Sequence, residues 1–176
     1  MNNRLKRLAI IAMFIALSSI LSYLESFIPV FIPGVKLGLA NVIILIMLYE
    51  FKFYEALIVQ ILRILAVSLV LGTIATPTFL MSLSGGILAY LVMLIFSRIK
   101  IFTVIGTSIM GSISHSVGQI FVAIIIMGTK AVIYYLPFIM VLSLATGILS
   151  GIIARTYLKR SITNRFIELD NKVEDI

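Results

Sequence analysis

One arginine lies deep in an apolar stretch of this sequence, where a charged group is unusual. Arg63 comes ten residues after Phe53, and a rise of 1.5 Å per helical residue predicts a depth of about 15 Å, near the middle of a bilayer. An ionisable group at that depth is costly unless it is paired or hydrated, so Arg63 is a candidate binding residue. Gln60, three residues earlier, shares its helix face. The alternative is a structural arginine that satisfies backbone carbonyls or extends along a cavity.

A second polar face combines His115 with Gln119, four residues later. Gly111 lies one turn before His115, and a neighbouring stripe carries Ser108, Ser112 and Ser116. Such a face is too polar to point at lipid, and it fits a ligand pocket and a helix-packing surface about equally well. The sequence offers no second His, no Cys and no intramembrane carboxylate to accompany His115, so we expect neither a metal nor another cofactor.

A third group follows a proline-bearing connection between two apolar stretches. Pro29, Pro33 and Gly34 precede the run from Lys36 to Asn41. The prolines restrict the backbone and the glycines give it room, while Lys36 and Glu25 place charge near the mouth of a pocket. We predict either a lid over a binding site or an ordinary turn between helices, with Asn41 about one turn into the second helix.

Several classes of chemistry lack their residues. No GxxxxGK[ST] loop occurs, so ATP-driven work needs a partner protein. The only aspartates are Asp170 and Asp175 in the tail, whereas diphosphate chemistry needs clustered carboxylates for magnesium. No acid stands near His115 to complete a hydrolytic triad. We therefore expect a protein that is not an enzyme by itself.

The elements that position these residues are expected to be membrane helices. The 176 residues are 61% hydrophobic and 12% charged, with a mean hydropathy of +1.20, far more apolar than a soluble domain. The net charge of +7 is spread between apolar stretches rather than gathered in a block, which argues against nucleic acid as a partner. We predict one transmembrane domain over residues 1–160 and a short cytoplasmic tail over residues 161–176, either an amphipathic helix or disordered.

Six apolar stretches have lengths near the roughly 20 residues that span a bilayer. They run from Leu5 to Glu25, Leu37 to Phe51, Phe53 to Leu71, Thr78 to Phe96, Ile101 to Met127 and Ala131 to Leu158. The first stretch is longer than the apolar region of a signal peptide, so we interpret it as a helix. The fold class predicted is an all-α bundle of about six transmembrane helices, the second of them short.

The distribution of basic residues predicts the orientation. With six helices both termini lie on one side, and that side collects eleven of the fourteen Lys and Arg residues. The opposite loops hold Lys36 and Lys130, and Arg63 remains within the membrane. The positive-inside rule then predicts cytoplasmic termini, with the connection from Ser26 to Lys36 on the outer side.

Two strips of small residues predict close helix contacts. One is formed by Ala9, Ala12 and Ala16 on the first helix, and the other by Ser143, Gly147 and Gly151 on the sixth. Small side chains let helix backbones approach each other. The pattern alone does not distinguish packing within the chain from packing on a partner.

These motifs resemble the small bacterial membrane proteins called Gx transporters, also known as the heptaprenyl diphosphate synthase component I family. The resemblance is carried by three short segments and one single residue. The segments run from Pro33 to Asn41, from Leu83 to Gly86 and from Ser112 to Gln119, and the single residue is Arg63. The run Lys-Leu-Gly-Leu-Ala-Asn at residues 36–41 is the most specific of them. This chain has Ser116 where family members usually have asparagine, so it lacks an amide side chain there.

The family is in turn similar to the substrate-binding S components of energy-coupling-factor (ECF) transporters, which have about six helices, a lid after the first helix and no ATPase. That resemblance implies a bacterial plasma-membrane importer subunit that works with a transmembrane coupling subunit and two ATPase subunits. It also implies that Ala9, Ala12 and Ala16 dock on the coupling subunit. The pocket residues we assign are Lys36, Asn41, Gln60, Arg63, His115 and Gln119.

A fixed arginine with a neutral histidine favours an anionic or polar aromatic small molecule. Two other functions stay open. The older family name implies a noncatalytic membrane subunit that supports a polyprenyl diphosphate synthase, and the third alternative is a structural scaffold.

Overall fold

The structure, a computed structural model, describes residues 3–28 and 36–174. Pro29, Pro33 and Gly34, which the lid prediction includes, lie outside the described residues. Within them the chain is helical, which confirms the predicted all-α fold. The helices are α1 Asn3–Glu25, α2 Asn41–Glu50, α3 Phe53–Val70, α4 Pro77–Arg98, α5 Val104–Met127 and α6 Leu136–Glu174, with a 3₁₀ helix at Lys130–Tyr135 before α6.

Five of these helices are long and apolar enough to cross a membrane: α1, α3, α4, α5 and α6. The remaining helix, α2, is apolar but shorter. Their ends follow local sequence signals. Pro77 occupies the first turn of α4, where its missing N–H is not needed. The Thr103 side chain accepts a hydrogen bond from the backbone N–H of Gly106 at the start of α5. Gly128 ends α5 with a φ of 63°, a conformation that glycine adopts readily.

The second helix begins four residues later than predicted. Residues 36–40, here named the lid segment, are not helical, and α2 starts at Asn41. Gly38 has a φ of +82°, which interrupts a helical path that the apolar pattern alone would allow. The helix itself is apolar on all sides and lies at the centre of the bundle, where every residue from Asn41 to Leu48 is buried. A central helix covered by its neighbours needs no polar face.

The sixth helix also differs from its predicted bounds. The 3₁₀ helix takes up the first residues of the predicted span, and α6 starts at Leu136. At the other end its backbone continues to Glu174. The segment after residue 160, for which the sequence allowed a helix or disorder, is therefore a continuation of α6.

Glycines bring α4, α5 and α6 into close contact. A Cβ added at Gly118 of α5 would lie 2.9 Å from the Cα atom of Gly85 in α4. On the other side of α5, added Cβ atoms at Gly147 and Gly151 would lie 2.8 Å from the Cα atoms of Ile109 and Ile105. The small residues of α6 thus pack within the chain, and Ser143 also hydrogen bonds to Ser116.

The first helix packs against α3 and leaves its alanine strip exposed. Near the chain's N-terminus, Arg7 donates two hydrogen bonds, of 2.7 and 2.8 Å, to the carboxylate of Glu55 at the start of α3. Ala9, Ala12 and Ala16 have exposed side chains. The opposite end of α1, at Glu25, lies at the end of the bundle that carries the lid segment, here named the distal end.

Candidate functional site

A small polar cavity lies between the helices at the distal end of the bundle, and we name it the chamber. Its volume is about 10 Å³, close to the space that one water molecule needs. Side chains from α1, α3, α4 and α5 surround it together with the lid segment. The lining residues are Ser22, Glu25, Lys36, Gly38, Arg63, Ile64, Ser82 and His115.

Four polar side chains in and beside the chamber contain atoms that have no hydrogen-bond partner among the described residues. These atoms are Asn41 Nδ2, both polar atoms of the Gln60 amide, Arg63 Nε and both ring nitrogens of His115. Gln60 is fully buried and the other three side chains are 3% exposed. An unsatisfied buried polar group costs about 1–3 kcal/mol. Such a concentration of unmet hydrogen bonds is unusual in a folded interior.

The guanidinium of Arg63 reaches α2. Its Nη2 atom lies 3.5 Å from Asn41 Oδ1, a contact at the long limit of hydrogen bonding. Gly38 separates Asn41 from His115, because a Cβ added there would lie 2.9 Å from Asn41 Nδ2 and 3.3 Å from His115 Cδ2. A side chain at position 38 would therefore fill the space between the two polar groups.

Two adjacent glycines of α4 bring the remaining polar groups close to that helix. A Cβ at Gly85 would lie 2.7 Å from the backbone oxygen of His115 and 3.2 Å from its Nδ1. A Cβ at Gly86 would lie 2.4 Å from Gln60 Nε2. Ser84 donates a hydrogen bond of 2.8 Å to the backbone oxygen of Gly118, which fixes α4 against α5.

Side chains from three helices hold the lid segment by its backbone. Gln119 of α5 accepts a hydrogen bond of 2.7 Å from Lys36 N–H and donates one of 2.8 Å to the Lys36 carbonyl. Thr146 of α6 donates to the Leu37 carbonyl at 3.2 Å. Glu25 of α1 accepts hydrogen bonds from the backbone N–H groups of Gly38 and Leu39. The lid segment is thus hydrogen bonded to three different helices.

Three formally charged side chains line the chamber: Glu25, Lys36 and Arg63. Among the described residues, none of the three forms an ion pair with an N···O distance of 4 Å or less. Burial lowers the pKa of the Lys36 amine, and the Glu25 carboxylate opposes that effect in part. The charges of Glu25, Lys36 and Arg63 thus meet in one small, largely buried space.

The six residues assigned to a pocket from the sequence come together at the distal end, with different contacts. Lys36, Arg63 and His115 line the chamber, and Asn41 contacts Arg63. Gln60 lies one helical turn from Arg63, towards α4. Gln119 is fully occupied by the backbone of Lys36, so it holds the lid segment rather than facing the cavity.

Sequence reasoning did not assign four of the residues that shape this site. Ser22, Ser82 and Thr146 are single hydroxyls in apolar helices, and such residues carry no distinctive signal. Glu25 was expected near the mouth, but its bonds to the lid segment depend on the backbone conformation at Gly38. Among the described residues, no three His, Asp or Glu side chains come together as metal ligands.

No curated protein and no solved structure shows a significant match to this chain. A family described as heptaprenyl diphosphate synthase component I matches residues 14–157. The match starts within α1, ends within α6 and includes all residues that line the chamber. Because it extends over most of the sequence, it confirms the resemblance found in the motifs: the chain belongs to the heptaprenyl diphosphate synthase component I family.

Proposed function

We propose that this protein is the substrate-binding membrane subunit of an ECF-type importer, and that the chamber is its binding site. The observation that carries the proposal is the group of unpaired polar atoms on Asn41, Gln60, Arg63 and His115. A purely structural core would be more stable with apolar side chains of similar shape at these positions. A bound small molecule with several polar groups would supply the missing partners.

The size of the chamber bears on how such a molecule enters. About 10 Å³ holds one water and no metabolite, so binding requires the surrounding elements to move. The lid segment is the natural element to move, because its contacts with Glu25, Gln119 and Thr146 are hydrogen bonds that can break and re-form.

The direction of transport and the energy source follow from sequence features. The positive-inside bias favours cytoplasmic termini, so the distal end would face outwards and the chamber would collect a molecule from outside the cell. The sequence contains no ATP-binding loop, which means that partner ATPases would supply the energy. The exposed alanine strip at Ala9, Ala12 and Ala16 offers a smooth surface on which a coupling subunit could pack.

Copurification tests this function. The protein, produced in a bacterium with an affinity tag, should bring down an ECF coupling subunit with two ATPases, and Ala12→Leu combined with Ala16→Leu should abolish their recovery. Ala145→Leu is the control, since Ala145 is an exposed alanine on α6. Full recovery of the partners with the double variant would contradict the docking surface.

The family description favours a second candidate, a noncatalytic membrane subunit that supports a polyprenyl diphosphate synthase. This function predicts a different partner in the same experiment. If a prenyl synthase catalytic chain copurifies with the wild type while no coupling subunit or ATPase does, the importer function is wrong and the second candidate stands.

A further inference from the structure

The charges around the chamber do not cancel. Lys36 and Arg63 carry two formal positive charges and Glu25 one negative charge, with the other lining residues uncharged when His115 is neutral. Residues 29–35, which precede the lid segment, contain no ionisable side chain. Those residues therefore add no charge to the three of Lys36, Arg63 and Glu25, and the chamber has an excess of one positive charge.

Hydrogen-bond donors also exceed acceptors among the unpaired atoms. Asn41 Nδ2 and Arg63 Nε can only donate. The Gln60 amide and a neutral His115 ring each offer both a donor and an acceptor. The site therefore lacks acceptors most, and an anionic group supplies acceptors together with the missing negative charge.

From this balance we propose that the chamber takes a compact organic molecule with a single negative charge, a monocarboxylate, whose carboxylate binds between Arg63 and Lys36. This inference rests on the proposed function and adds the class of substrate. The planar guanidinium matches a carboxylate with two parallel hydrogen bonds. A second polar group of the molecule meets His115 on the other wall of the cavity.

The same count argues against phosphorylated substrates. A phosphate monoester carries about 1.5 to 2 negative charges near neutral pH, which exceeds the single positive charge of the chamber. A prenyl diphosphate carries still more, and the chamber lining includes no further cation and no set of carboxylates for a magnesium ion. The chamber thus fits a carboxylate better than the substrate of a prenyl synthase.

The test uses full-length protein in phosphatidylcholine nanodiscs. The probe is a protein-free extract of bacterial metabolites, separated on an anion exchanger into neutral and cationic, singly anionic, and multiply anionic fractions. The singly anionic fraction alone should raise the apparent unfolding temperature of the wild type. In Arg63→Gln, the same rise should require a concentration of this fraction that is about tenfold higher or more, which is the loss of affinity expected for a charge-assisted hydrogen bond. Lys100→Gln, a matched change at an exposed lysine, should leave it unchanged.

A second variant keeps the proposal testable if Arg63→Gln does not fold. Glu25→Gln retains an oxygen that can accept hydrogen bonds from Gly38 and Leu39, but it removes the negative charge of Glu25 and so leaves the chamber with two positive charges instead of an excess of one. It should shift the response from the singly anionic to the multiply anionic fraction. The carboxylate assignment would be overturned if another fraction stabilised the wild type instead, either the one with neutral and cationic molecules or the multiply anionic one. The importer function would still stand in that case. Stabilisation by no fraction would overturn both.

Discussion

The side-chain amide of Gln119 forms two hydrogen bonds with the backbone of Lys36: it accepts one of 2.7 Å from the Lys36 N–H and donates one of 2.8 Å to the Lys36 carbonyl. The two residues are 83 positions apart in the chain, and their pairing connects the middle of α5 to the first residue of the lid segment. Both polar atoms of the buried Gln119 amide are thus satisfied by the backbone N–H and carbonyl of one residue. This pairing, together with Glu25 and Thr146, determines how firmly the chamber is closed.

Loss of this pairing should loosen the lid segment. Gln119→Met preserves volume approximately but removes both hydrogen bonds and leaves the buried N–H and carbonyl of Lys36 without these partners, at a cost of about 1–3 kcal/mol. Hydrogen exchange of the backbone amides at residues 36–40 should become faster by about 5- to 150-fold, the factor to which such a cost corresponds, while exchange in α2 changes little. Unchanged exchange in the lid segment would show that Gln119 does not hold it.

The comparable change at Gln60 should have the opposite effect on stability. The Gln60 amide is fully buried and has no hydrogen-bond partner among the described residues. Gln60→Met therefore removes an unsatisfied polar group and should raise the free energy of unfolding of the ligand-free protein by about 1 kcal/mol. It should also weaken substrate binding, because a hydrogen-bonding group of the site is lost. Thermal unfolding with and without the singly anionic fraction measures both effects, and lower stability without ligand would contradict the account.

The crossing of α4 and α5 should not tolerate a side chain at Gly85. The added methyl of Gly85→Ala would meet the backbone oxygen of His115 at 2.7 Å, and backbone cannot move aside as a flexible side chain can. We expect destabilisation by about 1–3 kcal/mol and displacement of His115. Gly106→Ala is the control, since its methyl would meet Phe102 at 3.4 Å, an ordinary contact. Equal unfolding temperatures for the two variants would contradict the close approach.

Binding of the anion should depend on the protonation of Lys36. Burial lowers the pKa of this amine, so it loses its positive charge at a lower pH than an exposed lysine, and anion affinity should fall as the pH rises through that range. The fall should be at most about tenfold per pH unit, as for one proton. The other charged or titratable groups that face it are Glu25 from α1, Arg63 from α3 and His115 from α5. Lys36→Met should weaken anion binding and make the anion affinity nearly independent of pH above neutral pH. If the affinity of this variant fell with pH as steeply as that of the wild type, a group other than Lys36 would cause the pH dependence.

The sequence was sufficient to predict the apolar helices and to select most of the polar residues that the structure brings together at the distal end. A charged residue such as Arg63 in an apolar stretch is conspicuous, and helix rise places it near the depth of His115. These inferences need only composition and helical periodicity. They therefore predicted which residues meet at the distal end.

The lid segment shows what the sequence could not provide. Leu37 to Ala40 is apolar and continues the pattern of α2, so hydropathy assigns it to the helix. Its actual path depends on the positive φ of Gly38 and on hydrogen bonds from Glu25 and Gln119, which are distant in sequence. For the same reason Gln119 was expected to face a ligand, whereas the structure shows it bound to backbone. Contacts of this kind depend on the tertiary arrangement rather than on local pattern.

The most direct test of the account is whether the chamber holds a small molecule that depends on Arg63. Wild type, Arg63→Gln and Lys100→Gln would be purified identically in nanodiscs, checked for equal helix content by circular dichroism, and extracted for mass spectrometry of released metabolites. We expect a carboxylate to be released in near-stoichiometric amount from wild type and Lys100→Gln and in strongly reduced amount from Arg63→Gln. Equal amounts from all three proteins, or none from the wild type, would contradict this expectation.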